Sequence, residues 1–64
     1  MKNMDIRAAI EKSGFRQWEV AEAYGRSEGV FSRMLRHELP ESTKTRIYQA
    51  IEGLKRGDLN DGRE

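Results

Sequence analysis

Apolar residues return at helical intervals along this chain, and each series is cut off by a glycine or a proline. Ile6, Ala9 and Ile10 share one face of a first short helix, which Asn3 or Asp5 caps and Gly14 ends. Phe15 follows as an anchor in the link. Val20, Ala21 and Tyr24 form the inner face of a second helix over about residues 17–24, stopped at Gly25. Ser27 is a good N-cap, and a third helix runs from there to about Arg36. Leu39-Pro40 ends that region, because the residue before a proline avoids helical geometry. A fourth helix opens with Pro40 in its first turn or Ser42 as its cap, and the pattern leaves both open. Ile47, Ala50, Ile51 and Leu54 follow at i, i+3, i+4 and i+7, and Gly57 closes the helix. No strand alternation and no repeat interrupts these series. The expected fold is all-α: a compact bundle of four short helices, with a fifth allowed, over residues 1–57, followed by a polar tail at 58–64.

The third helix has two unlike sides. At about 100° per residue, Phe31, Met34 and Leu35 fall together, with Val30 at their edge. Gly29, Ser32, Arg33 and Arg36 fall on the other side. A merely solvated helix face is usually built from long polar residues and good helix formers, not glycine and serine. The small residues leave little bulk between the backbone and an approaching surface. The arginines supply forked donors that match phosphates or guanine edges.

Charge sharpens this picture only locally. The net charge of the 64 residues is +1. Within residues 25–46, however, Arg26, Arg33, Arg36, Lys44 and Arg46 face only Glu28, Glu38 and Glu41. A chain this short has room for one small domain and no separate catalytic or effector unit. It has no cysteine, which fits a reducing compartment and a cytoplasmic setting. No apolar run approaches the ~20 residues of a membrane span. The opening stretch carries acids and is not read as a secretion signal. His37 is a lone histidine without companion ligands, so neither a metal nor another cofactor is expected. An enzyme is disfavoured too, because no nucleophile–base pair or phosphate-cradling glycine loop is present.

The second and third helices are joined by a very short turn, so they must pack closely at a steep angle. That needs a small residue at the crossing, a residue tolerant of left-handed geometry in the turn, and apolar residues returning onto the first helix. Ala21, Gly25, Phe31 and Met34 meet these needs at matching spacing. The stretch "QWEVAEAYGRSEGVFSRML", Gln17 to Leu35, resembles the helix-turn-helix of phage-repressor and Cro-like DNA-binding domains, the XRE type. "IRAAIEKSGF" is similar to the family's first helix and link, and "TKTRIYQAIEGL" to its closing helix, so the resemblance covers about residues 4–56. It implies a lambda-repressor-like bundle whose third helix enters the DNA major groove.

Residue by residue, the resemblance implies base reading by Ser27, Glu28, Gly29, Ser32 and Arg33. Gln17 matches the family's phosphate-holding glutamine at a helix N-terminus. Arg16, Arg26, Arg36, Lys44 and Arg46 are candidate phosphate contacts. Glu28 also has the simpler role of a first-turn acid, although a carboxylate can accept from cytosine N4. Trp18 is expected to flank the core, and Tyr48 to be exposed. The leading expectation is a small transcriptional regulator, repressor-type and phage- or mobile-element-like. It would bind double-stranded DNA as a homodimer and act by occupancy without a small-molecule effector. An excisionase-like architectural DNA binder is a neighbouring reading. A protein-interaction module on the same scaffold is the competing class.

Overall fold

The computed structural model describes residues 2–57, and the expected polar tail lies outside them. Among the described residues there are four α-helices and no strand: α1 (Met4–Ser13), α2 (Gln17–Tyr24), α3 (Glu28–Met34) and α4 (Glu41–Arg56). The expected all-α class is therefore the observed one. α4, the longest, packs against both α1 and α2, while α3 packs chiefly on α2. Ile6 and Ile10, Val20 and Ala21, Phe31 and Leu35, and Ile47, Ile51 and Leu54 form a single core that draws on every helix. Burying each of the larger side chains contributes roughly 1.5–3 kcal/mol, so a chain this small depends on all of them.

Helix ends follow the punctuation with some differences. Gly14, Gly25 and Gly57 close α1, α2 and α4 with positive φ, as residues without a Cβ can. Proline 40 occupies the N-cap position of α4, and the helix starts at Glu41, so Pro40 stands just before the first turn and Ser42 is not the cap. α3 ends at Met34, short of Arg36. The chain then tightens, with Arg36 N–H donating to Arg33 O at 3.1 Å and His37 N–H to Met34 O at 3.2 Å. Leu35 takes the fully buried place, and Met34 is only half-buried. Trp18, expected as a half-buried flank of the core, is 47% exposed on α2.

The largest difference concerns Asn3 and Lys44. Asn3 stands at the start of α1 but makes no side-chain cap bond, and its backbone is left-handed at φ 58°. Its side chain reaches across the fold instead. Nδ2 donates to Leu35 O at 3.0 Å and to His37 O at 2.7 Å, and Oδ1 accepts from Leu39 N–H at 2.9 Å. Its own N–H donates to Glu38 Oε1 at 3.1 Å. Arg7 adds a weak contact to Leu35 O at 3.4 Å. Carbonyls that the end of α3 leaves without helical partners are met in this way by α1. Lys44, 6% exposed, donates from Nζ to Asp5 Oδ2 at 3.0 Å and to Glu38 Oε2. The start of α1, the α3–α4 link and the start of α4 are thus tied at one point.

Two consequences are measurable. Asn3→Gly keeps the left-handed backbone cheap while removing the side chain, and it should destabilise by about 1–3 kcal/mol in urea unfolding. Asn3→Ala should cost more, because a Cβ is disfavoured at that φ. The ion cluster sets the second expectation. The bond from Lys44 holds the Asp5 and Glu38 carboxyls below the usual carboxylate range, helped by the Ile6 and Asn3 N–H groups respectively. The bonds to Glu38 and Asp5 raise Lys44. Carboxylates with lowered folded values stabilise fully above about pH 4, and the contribution is lost as pH falls through those values. The raised lysine stabilises fully below about pH 10 and loses its share as pH rises through its folded value. Thermal melts should therefore show a plateau between these limits, and Lys44→Met should make the acid limb shallower.

Candidate nucleic-acid interface

The candidate surface begins at the turn between α2 and α3. Gly25 adopts φ 93°, and its N–H donates to Ala21 O and Glu22 O, both at 3.0 Å. Arg26 N–H also reaches Ala21 O at 3.0 Å, which closes the turn. Ala21 is fully buried at this crossing, where a larger side chain would hold the helices apart. Ser27 then starts α3, its Oγ accepting from Val30 N–H at 3.2 Å. Tyr24 and Phe31 meet across the angle with ring centroids 6.0 Å apart.

This packing fixes which side of α3 faces outward. Phe31 and Leu35 are buried at 0% and 1% exposure. Glu28, Gly29 and Arg33 are exposed and Ser32 is half-buried, while Arg36 is exposed just past the helix end. Neither Arg33 nor Arg36 forms an ion pair among the described residues. Space is open around Gly29: a Cβ built there meets nothing within 4 Å. The glycine is therefore not required by packing inside this chain. Ser27 is also exposed, but its hydroxyl is engaged as the cap, so Ser27 shapes the helix start more than it offers a free donor.

The other expected contacts separate into three groups. Arg26 and Arg46 line one open cleft between the end of α2 and α4 with Ala23, Tyr24, Gln49 and Ala50. Arg16 and Gln17 stand at the start of α2, Arg16 exposed and Gln17 half-buried. There the Glu19 carboxylate accepts Arg16 N–H at 2.7 Å. It takes one free amide and puts negative charge where the resemblance reserves a place for phosphate. Lys44 does not fit its expected role as a phosphate contact. Its ammonium is buried between Asp5 and Glu38, so it is a structural cation and not an available phosphate contact.

Sequence spacing missed Asn3, Asp5 and Glu38 as the groups that hold the link after α3, because their contacts span 32 to 39 residues. Among the described residues no group of three or more His, Cys, Asp and Glu side chains is placed to hold a metal ion, and no helix is long and apolar enough to cross a membrane. Neither family models nor curated sequences nor solved structures give a match to this chain.

Gly29 supplies a direct check on whether the small face serves the fold. Gly29→Ala should raise stability by up to about 1 kcal/mol, since alanine is the better helix former and the site is open. A lower thermal midpoint for this variant would mean that the glycine is held for packing after all.

Proposed function

We propose that the chain binds double-stranded DNA sequence-specifically through α3 and acts as a small transcriptional regulator by occupying its operator. The observation that carries this reading is the outward side of α3. Gly29, Ser32, Arg33 and the following Arg36 have no part in the core, while Phe31 and Leu35 fix the opposite side of the same segment. A face that is low in bulk and carries guanidinium groups with no ion pair among the described residues suits close approach to base edges and phosphates. The resemblance of residues 17–35 to XRE-type domains supports the same reading. In it Arg33, one turn after Gly29, reads a base edge, and Glu28 and Ser32 flank it. Arg16 and Arg36 hold the backbone on either side. One such helix reads only a few base pairs, so two copies about one helical turn apart supply the selectivity.

The exposed Trp18 favours a second reading, a module that holds a partner protein through α2. The two are separable: partner capture would depend on Trp18 and be indifferent to Arg33.

Selection of bound duplexes from a random library is the deciding experiment, with a palindromic consensus expected. Arg33→Ala should then weaken binding by about 1–3 kcal/mol and relax the preference at one base position. Arg36→Ala should weaken all sequences alike and lower the log–log salt slope by roughly one unit. If both variants keep the wild-type consensus and differ only in salt dependence, base reading by Arg33 is wrong.

A further inference from the structure

Between the C-terminal end of α2 and the middle of α4 lies an open cleft of about 370 Å³, lined by Ala23, Tyr24, Arg26, Arg46, Gln49 and Ala50. Ala50 is buried and Ala23 and Tyr24 pack on the core, but Arg26, Arg46 and Gln49 are exposed and have no part in it. Both arginines are exposed, neither forms an ion pair among the described residues, and no carboxylate lines the cleft. Arg26 is partly oriented: Nη1 donates to Gly25 O at 3.2 Å, and the guanidinium carbon lies 5.8 Å from the Tyr24 ring centroid. A guanidinium has five N–H donors, so this single bond leaves most of them for a ligand. Ala23 and Ala50 add little bulk between the polar groups. Two like charges on one small cleft repel each other, and an anion between them relieves that repulsion.

We infer that this cleft is an oxyanion subsite that takes one phosphate group between Arg26 and Arg46. A carboxylate has two oxygens and is satisfied by one arginine fork. Its lining residues carry two guanidinium forks, that of Arg26 partly engaged at Gly25 O, together with the amide of Gln49 and the phenol of Tyr24. That donor set suits the larger number of acceptor oxygens on a phosphate. Arg26 immediately precedes Ser27, so the bound group lies at the edge of the start of α3. The phosphate can come from a free phosphorylated small molecule, whose terminal group carries three such oxygens, or from a DNA backbone, whose phosphodiester offers two non-bridging oxygens and its bridging oxygens to the same cationic donors. Only the second source rests on the DNA-binding reading.

The first arm of the test titrates the protein with inorganic phosphate against chloride at constant ionic strength. NMR follows the Nε–Hε resonances of Arg26 and Arg46 and the side-chain amide of Gln49. The three should move along one saturation curve, and Arg46→Gln should abolish saturation at Arg26, as Arg26→Gln should at Arg46. Independent curves for the two arginines, or no saturable movement, overturn the subsite. The second arm measures duplex affinity against salt for the wild type, the two single variants and the double variant. If the DNA backbone is the source, the double variant lowers the log–log slope by about one, because one phosphate is neutralised. A fall of about two, as two separate phosphates would give, overturns the pairing. An unchanged slope beside an intact phosphate titration assigns the cleft to a free phosphorylated ligand. If the wild type binds no duplex, the DNA-binding reading fails, while the phosphate titration still decides the subsite.

Discussion

A lysine ammonium taken out of water must be met by opposite charge, and Lys44 meets that requirement with carboxylates from two other parts of the chain. Asp5 comes from α1 and Glu38 from the link before α4, so satisfying one charge places three segments. Asn3 completes the junction by meeting the carbonyls of Leu35 and His37 and the N–H of Leu39. This matters most for α3. A seven-residue helix is far too short to persist by its own hydrogen bonds. It is held at its start by Ser27, along its length by Phe31 against α2, and at its end by groups belonging to α1.

Most of the fold was legible because most of it is local. The intervals of Val20–Ala21 and of Ile47–Ala50–Ile51–Leu54 announce which faces turn inward, and Gly14, Gly25 and Gly57 stand where a left-handed residue ends a helix. What could not be read was what joins distant segments. Asn3 looks like an ordinary cap, and Lys44 like an ordinary surface cation on the first turns of an amphipathic helix. Nothing in the spacing of either reveals a partner more than 30 residues away. Trp18 is 47% exposed, while Val20 and Ala21 occupy the inner side of α2.

The candidate surface was legible to about the same depth. The two-sided character of α3 follows from periodicity alone, and the structure keeps Phe31 and Leu35 inward and Gly29 and Arg33 outward. The basic residues sort differently from what linear charge suggests. With Lys44 and Glu38 engaged with each other, the remaining cations of residues 25–46 are Arg26, Arg33, Arg36 and Arg46, against Glu28 and Glu41. All four are arginines, so the cationic groups still exposed have planar, forked geometry and none is a point-like ammonium. That distinction appears only once the buried lysine is removed from the count.

The openness around Gly29 has a consequence for how such a protein diversifies. Side chains at 28, 29, 32 and 33 have few obligations to the interior, whereas 31 and 35 have many. Substitutions at positions without packing duties usually change stability by less than about 0.5 kcal/mol, and replacing the glycine itself adds a helix-propensity gain. Drift can therefore rewrite the outer half of this helix while the inner half stays fixed. A lineage built on this scaffold can remodel this surface one residue at a time without passing through unfolded ancestors.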